Sequence, residues 1–388
     1  MAAVMDEDLP QRAIPAVYVR GGTSRALVFR LEDLPAERSG WDPIFLAALG
    51  SPDPGRRQLD GLGGGISSLS KVAVVGRSAR PDADVDYTFA QVPIDGGPVQ
   101  YRGNCGNISS SIGPFAVDEG LVVPTGSEAT VRIFNTNTGK VIVSRFRVQG
   151  GRAAVAGDFR LQGVAGTGAP IRLSFLQPGG AATGRLLPTG APADSLPLHG
   201  RPVACSLVDA ANPVVFVEAS SVGLTGRESP AELDAHPSAL RDLEELRVQA
   251  ALRMGLVQAE QEARTLLLNL PQVAVVSSPR PEDGAHIVVR MISTGQSHRA
   301  TPLTGAMCLA AAMRTPGTVA ARVARLPQGA DDDLLIAHPT GVLPVAATLD
   351  TAADGSVTVA ETVVYRTARR LMEGRVFVPA QAMTEAGA

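Results

Sequence analysis

The first half of the chain alternates between short apolar runs and polar turns rich in glycine and proline. Within the run 84–92, Val85, Tyr87 and Phe89 occupy every second position, which is typical of a strand with one buried face. The segment 41–49 is predicted to be a short helix that ends in a turn rich in glycine and proline. The same pattern predicts strands at 16–20, 26–30, 72–75, 84–92, 129–134, 140–148 and 153–158.

A different period follows the lone cysteine in the turn Gly103-Asn104-Cys105-Gly106-Asn107. Ile108, Ile112, Phe115 and Ala116 fall on one stripe at helical spacing, and Gly120 stops the helix. Cys105 is therefore predicted to lie at a helix start, where free backbone N–H groups bind anions and favour the thiolate. From the turn alone, a small buried hydrophobic cysteine is an equal alternative.

The second half repeats this alternation after a loop-like stretch at 176–200. Ser229-Pro230-Ala231-Glu232 is a capping box that opens one long helix, whose apolar stripe runs to Met254 and stops at Gly255. A short helix is predicted at 304–314. Strands are predicted at 203–207, 214–218, 286–293, 334–337, 343–347, 357–364 and 376–379.

In each half, strands are thus followed by a short helix that begins at a polar turn. The first opening is Asn104-Cys105-Gly106-Asn107 and the second is Pro302-Leu303-Thr304-Gly305-Ala306. We predict two similar units, with a boundary that separates residues 1–188 from 189–374. Two helix N-termini that face each other across a cleft would suit a dianionic substrate.

Composition narrows the class of protein. The chain has 388 residues, of which 45% are apolar and 19% charged, as expected for a globular protein with a large core. A net charge of −3 and an aromatic content of 4% argue against nucleic acid as a partner. The start is polar and no apolar run reaches 18 residues, so neither a signal peptide nor a membrane span is predicted, and a cytoplasmic location is expected.

Cysteine and histidine spacing argues against metal or disulfide chemistry. The chain has three cysteines, far apart and without a CxxC pair, and five scattered histidines. We therefore expect no metal site and no disulfide framework. Cys205 and Cys308 are predicted to be buried packing residues.

Lys71 is the first candidate for chemistry. It ends a loop rich in glycine and serine and begins the apolar strand 72–75. A lysine held there could act as an acid or base, or anchor a carboxylate. A solvated charge at a strand edge is the plainer alternative. The Gly63-Gly64-Gly65 run lacks the spacing of a phosphate loop, so nucleotide binding is not predicted.

Two further polar groups are candidate anion partners. Thr23, Ser24 and Arg25 follow a double glycine, where N–H groups, hydroxyls and a guanidinium can meet a carboxylate, although an ordinary hairpin turn would look the same. His298 and Arg299 precede the second helix opening. A histidine in such a place is more often structural than functional.

Taken together, the ordered motifs resemble the PrpF-like isomerases. This family includes methylitaconate Δ-isomerase, 2-methylaconitate isomerase and 4-oxalomesaconate tautomerase. The resemblance runs along nearly the whole chain. It is carried by Arg20-Gly21-Gly22-Thr23-Ser24, Gly50-Ser51-Pro52-Asp53, Gln58–Gly64, Ser70-Lys71-Val72-Ala73, Asp84–Val92, Gly103–Asn107, Asn135–Lys140 and Leu187-Pro188-Thr189-Gly190.

The resemblance implies an α+β, diaminopimelate-epimerase-like fold. Two pseudo-symmetric halves would each wrap a β-barrel-like sheet around a central helix, with the active site between them. It also implies that the C-terminal segment 375–388 joins the first half, which carries Lys71 and Cys105.

The resemblance further implies a cofactor-free shift of a carbon–carbon double bond in a small di- or tricarboxylate. PrpF-like enzymes pair a lysine with the first cysteine, here Lys71 and Cys105, and either could be the base. Substrate contacts are implied at Thr23, Ser24, Arg25, Ser67, Ser68, Asn104, Gly106, Asn107, His298, Arg299, Thr304, Gly305 and Ala306. Arg25 departs from the lysine that relatives often carry there.

Two other functions stay open at this point. An amino-acid racemase or epimerase of the same fold would need a second thiol, but its position falls near Pro302. A non-catalytic protein that binds carboxylates or assists an aconitase-like partner would leave Cys105 merely structural. A homodimer is compatible with either and is not decided by the sequence.

Overall fold

The computed structural model describes residues 10–101, 104–293, 295–329, 332–353 and 355–381. Its helices and strands are numbered in chain order. The strands are β1 Gln11–Gly21, β2 Ser24–Arg30, β3 Lys71–Arg77, β4 Val85–Gln91, β5 Glu128–Asn135, β6 Lys140–Gln149, β7 Arg152–Ala153, β8 Ile171–Leu176, β9 Asp194–Leu198, β10 Arg201–Ala210, β11 Asn212–Glu218, β12 Gln272–Ser277, β13 Ile287–Ser293, β14 Gln296–Ser297, β15 Leu334–His338, β16 Gly341–Thr351, β17 Val357–Arg366 and β18 Ala368–Pro379. The helices are α1 Trp41–Leu49, α2 Gly106–Asp118, α3 Pro230–Ala235, α4 Ala239–Arg253, α5 Glu260–Thr265, α6 Leu303–Arg314 and α7 Val319–Val323.

The chain divides into two compact units. Unit 1 comprises Met1–Leu173 and Tyr365–Ala388, and unit 2 comprises Ser174–Val364. The units therefore divide at 173/174 and not at the predicted 188/189. The intervening segment belongs to unit 2 because its backbone is bound there: the N–H groups of Ala182 and Thr183 donate to the Asp209 carboxylate at 2.8 and 2.7 Å.

Unit 1 contains a mixed β-sheet with the strand order β18-β1-β2-β3-β4-β5-β6. Successive pairs are antiparallel, antiparallel, parallel, antiparallel, parallel and antiparallel. Strand β18 pairs with β1 along its length, from Gln11 opposite Pro379 to Gly21 opposite Ala368. This strand begins well before the predicted 376–379, and residues 382–388 of the predicted C-terminal segment lie outside the described residues.

Helix α2 is the buried centre of unit 1 and packs against β1, β2, β5 and β6. Ile108, Ile112, Phe115 and Ala116 are buried, as the predicted stripe requires. Serines on the other faces are buried too, and each satisfies its hydroxyl within the helix. Ser111 Oγ, for example, donates to the carbonyl of Ile108 at 2.7 Å.

Unit 2 repeats the topology of unit 1. Its sheet order is β9-β10-β11-β12-β13-β15-β16, with the same series of antiparallel and parallel pairs. Helix α6 follows the fifth strand of this series, as α2 does in unit 1, and it packs against β10, β11 and β16. The predicted internal echo is thus present in the strand pairing as well as in the helix openings.

Several sequence predictions fail in detail. The long helix predicted from Ser229 to Met254 is two helices, α3 and α4, because Pro237 lies in the break between them. The strand predicted at 153–158 is limited to Arg152–Ala153, and the stretch 176–200 predicted as loop contains β9. Among the described residues, no helix is both long enough and apolar enough to cross a membrane.

Candidate active site

Lys71 is a buried lysine at the first position of β3. Its side chain is 8% exposed, and its Nζ donates to Gln91 Oε1 at 2.5 Å on the neighbouring strand β4. The ammonium also lies 5.2 Å from the centroid of the Phe89 ring. Within the described parts of the chain, no carboxylate forms an ion pair with it. The solvated strand-edge alternative for Lys71 is therefore wrong.

Gln91 is itself fixed in place. Its Nε2 donates to the backbone carbonyls of Ser67 and Ser70 at 3.1 and 2.8 Å, which turns its Oε1 towards Lys71. Ser67 thus contributes a carbonyl that orients the lysine through Gln91. Ser68 follows in the same short helical turn, where it is half-buried.

Cys105 is the N-cap residue of α2, as predicted. It has an extended backbone, is half-buried, and makes no side-chain capping bond. The first backbone N–H that donates within the helix is that of Ser109, which reaches the Cys105 carbonyl at 2.9 Å. The N–H groups of Gly106, Asn107 and Ile108 precede it and have no partner inside the helix, so they form an anion-binding end.

Tyr87 on β4 interacts electrostatically with the Cys105 thiol. Burial raises the pKa of Tyr87 well above its usual range, and a negative charge on nearby Cys105 raises it further. Tyr87, Phe89 and Gln91 are alternate residues of β4 and so share one face of the strand. Lys71 contacts Gln91 and Phe89 and so lies on this face of β4, and Tyr87 on the same face interacts electrostatically with Cys105.

Asn104 holds the turn before the helix. Its Oδ1 accepts from Ser109 Oγ and from Asn135 Nδ2, both at 2.9 Å. Asn137 continues this network, because its side chain both accepts from and donates to the backbone of Phe89 at 2.8 Å. Asn135 and Asn137 therefore fix the cysteine turn and strand β4 to each other. Gly103 lies outside the described residues.

The double glycine brings the β1–β2 turn against the helix start. A Cβ on Gly22, whose φ is +54°, would lie 2.2 Å from Asn107 Oδ1. This close approach lets Asn107 Nδ2 donate to Thr23 Oγ1 at 3.1 Å. Ser24, the first residue of β2, is buried beside this turn. The turn thus packs against the start of α2 and is not an independent hairpin, while its contact with a substrate stays a prediction.

Arg25 has another partner in the structure. Its guanidinium lies over the Tyr18 ring, 5.5 Å from the centroid. The Tyr18 hydroxyl donates to the carbonyl of Leu62 at 2.9 Å, which fixes that ring. Contact of Arg25 with a substrate carboxylate stays a prediction.

The predicted residues of unit 2 surround the start of α6, whose N-cap is Pro302. Thr304 Oγ1 accepts from Asn212 Nδ2 at 3.1 Å. Gly305 and Ala306 are buried in the first turn, and Arg299 is exposed. His298 is half-buried, its Nε2 has no hydrogen-bond partner in the described structure, and burial lowers its pKa.

The helix starts of the two units correspond position by position. Cys105 and Pro302 are the two N-caps, and Asn107 and Thr304 are both second in their helices. Proline has no proton to exchange at this position. Cys308 is fully buried inside α6, and Cys205 is fully buried in β10, as predicted. An arrangement with two facing thiols is thus disfavoured.

Sequence reasoning missed Gln91, Asn135 and Asn137. A compositional signal for the lysine was also overlooked: of 35 lysines and arginines, only Lys71 and Lys140 are lysine. Arginine serves almost every other cationic position, but its guanidinium does not release a proton in proteins. The buried lysine of such a chain is therefore a candidate for proton transfer. Among the described residues, no cluster of three histidine, cysteine or acidic side chains is arranged to hold a metal ion.

Comparison with known proteins identifies the fold and then the family. The chain superposes on the crystal structure of a methylitaconate Δ-isomerase with a TM-score of 0.90, at 40% identity over 97% of this chain and 98% of that one. A hydroxyproline epimerase of Agrobacterium vitis matches with a TM-score of 0.51 at 14% identity, covering 95% of this chain and 93% of that one. The architecture is thus the diaminopimelate-epimerase-like fold.

The family model described as "PrpF protein" matches residues 11–379. The 3-methylitaconate isomerase of Eubacterium barkeri is 40% identical over 95% of this chain and 98% of its own. The (4E)-oxalomesaconate Delta-isomerase of Novosphingobium sp. (strain KA1) is 40% identical over 94% and 97%. The chain belongs to the PrpF family, and it is an isomerase.

Proposed function

We propose that this isomerase moves a carbon–carbon double bond within a small unsaturated di- or tricarboxylate by allylic proton transfer. A base removes a proton from the carbon next to the double bond. The electron pair of that C–H bond becomes the new double bond, and the negative charge spreads through the old one into a carboxylate. A proton then returns two carbons away, so that atoms and charge balance without a cofactor.

Lys71 is the proposed principal base. The observation that carries this assignment is a buried ammonium whose hydrogen-bond partner is a neutral amide and not a carboxylate. A neutral amide positions Nζ without supplying the opposite charge that an ion pair would place beside it. Gln91 orients the Nζ group of Lys71 without supplying a counter-charge.

Cys105 and the start of α2 are proposed to supply the second proton-transfer group and the groups that bind the substrate carboxylate. The thiol is the second acid or base, and the uncapped N–H groups of Gly106, Asn107 and Ile108 receive the charge that develops on the substrate carboxylate. Such donors need no rearrangement during the reaction, and losing one typically costs about 3 kcal/mol of transition-state stabilisation.

The remaining predicted contacts belong to this proposal. They are Thr23, Ser24, Arg25, Ser67, Ser68 and Asn104 in unit 1, and His298, Arg299, Thr304, Gly305 and Ala306 in unit 2. The relatives' names point to methylitaconate and oxalomesaconate as the first acids to test. We also propose a homodimer and a cytoplasmic location.

The test mixes the protein with methylitaconate, 2-methylaconitate, cis- and trans-aconitate and 4-oxalomesaconate. Loss or gain of conjugation is followed by ultraviolet absorbance, and deuterium uptake from D₂O is followed by mass spectrometry. Turnover of at least one acid, with deuterium entering at the allylic carbon, is the expected result. No change with any of these acids would refute the proposed substrate class.

A charge-preserving substitution separates proton transfer from charge. Lys71→Arg keeps the cation but removes the transferable proton, so we expect it to reduce turnover as severely as Lys71→Ala does. Lys140→Arg is the matched control, since Lys140 lies at the exposed start of β6, and it is expected to keep full activity. Substantial activity in Lys71→Arg would mean that another group is the base.

A further inference from the structure

A buried arginine lies beside the start of α2 in unit 1. Arg366, the last residue of β17, is 7% exposed. Its Nε donates to Asn107 Oδ1 at 3.2 Å, and one terminal nitrogen donates to the carbonyl of Tyr365 at 2.8 Å. Both acceptors are neutral. A guanidinium has five donors, so these two bonds leave most of its capacity unused.

The comparison with Arg247 shows how unusual this is. Arg247, also buried, forms a two-pronged ion pair with Glu244 and donates to the carbonyls of Ala263, Leu267 and Leu270. That arginine is fully satisfied by the protein. Arg366 has no carboxylate partner among the described residues, and a buried charge without a counter-ion is costly.

The surroundings of Arg366 indicate where a group that balances its charge would bind. Burial lowers the pKa of Arg366 to about 10, and the one charge that acts in the opposite direction is that of Cys105. Its partner Asn107 also donates to Thr23, so the guanidinium is tied to both the helix start and the glycine turn. The cation therefore lies beside the first turn of α2, where the backbone N–H groups are uncapped.

We propose that Arg366 binds a carboxylate of the substrate at the N-terminus of α2, with Asn107 holding the guanidinium in position. The assignment rests on the proposed function for the identity of the anion, a di- or tricarboxylate. Within unit 1, it adds a residue from the far end of the chain to groups that otherwise come from segments near its start.

The experiment uses Cys105 as a reporter and needs no turnover. Cys205 and Cys308 are fully buried, and burial raises the pKa of the Cys205 thiol to about 12, so iodoacetamide should modify only Cys105 in the folded protein. Propane-1,2,3-tricarboxylate, a saturated analogue, is then titrated in to protect Cys105. The variants are Arg366→Gln, Arg366→Lys and, as a control, Arg77→Gln at the exposed far end of β3.

We expect the tricarboxylate to protect the wild type and Arg77→Gln equally. Arg366→Gln should require about 10- to 100-fold more of it for half-protection, because one charge-assisted contact is lost, and Arg366→Lys should fall between them. If Arg366→Gln unfolds, all three cysteines react, and the comparison then rests on Arg366→Lys.

Unchanged half-protection in folded Arg366→Gln, or in Arg366→Lys when Arg366→Gln is unfolded, would overturn the inference. A wild type that no tricarboxylate concentration protects would overturn it as well. Protection that depends on Arg366 in a protein that isomerises none of the acids would instead uphold the anion site and refute the proposed reaction.

Discussion

Lys71 and Gln91 face each other across the antiparallel pair β3–β4, with Nζ 2.5 Å from Oε1. The Nε2 group of the same Gln91 amide donates to the backbone carbonyls of Ser67 and Ser70. This geometry makes Gln91 a positioning residue: it determines where the ammonium lies without neutralising it.

Gln91→Ala is expected to lower kcat about 10- to 100-fold while KM changes little. The lysine loses the bond that fixes its Nζ, and a bond to a charged group is worth about 1.5–3 kcal/mol. Steady-state kinetics on whichever acid is turned over provides the measurement. Gln149→Ala, at the exposed end of β6, is the control. An unchanged kcat would show that Lys71 orients itself without Gln91.

Gly22→Ala is expected to be more destabilising than an ordinary glycine substitution at positive φ. The new Cβ would meet Asn107 Oδ1 at 2.2 Å. Gly139 has a φ of +66° but open space around it, so Gly139→Ala reports backbone strain alone, about 1–2 kcal/mol. Gly22→Ala should cost about 1–3 kcal/mol more in urea unfolding. Equal losses would mean that the turn does not press against the helix.

Asn137→Ala is expected to lower the free energy of unfolding by about 2–4 kcal/mol. The substitution removes both bonds to the Phe89 backbone and the bond to the Tyr101 carbonyl, and it leaves the Phe89 N–H unsatisfied. Asn269→Ala, at an exposed position, should stay within about 0.5 kcal/mol of the wild type. Urea denaturation measures both, and similar values for the two would contradict the bracing role.

Asp283 should make stability depend on pH in acid. Its two oxygens each lie 2.8 Å from Arg227, and this pairing lowers the pKa of Asp283 to about 2. A depressed folded-state pKa stabilises the protein above the unfolded value of about 4, and this stabilisation fades as pH falls towards 2.

Asp283→Asn is accordingly expected to cost about 1 kcal/mol at pH 7 and progressively less between pH 4 and pH 2. Urea unfolding of both proteins at several pH values gives the difference. Glu282→Gln, at the exposed neighbouring position, should show no such trend. A difference that does not shrink in acid would mean that the ion pair is not its source.

Local pattern alone determined much of this protein. The alternation of Val85, Tyr87 and Phe89 specified β4, and the stripe from Ile108 to Ala116 specified α2 with Cys105 at its start, because both depend on periods that neighbouring residues carry. The ordered motifs were sufficient to identify the family. Pro237 also indicates the break between α3 and α4. The apolar stripe that continues after it, up to Met254, led instead to the prediction of one long helix.

Tertiary structure decided the rest, because contacts between distant residues leave no periodic trace. Gln91 is 20 residues from Lys71, and Arg366 is 259 residues from Asn107. That Arg366 is buried with no carboxylate partner in the described parts of the chain follows from the path of β17, which the sequence of β17 does not reveal. The sequence named the groups capable of proton transfer, and the fold determined which neutral and charged neighbours surround them.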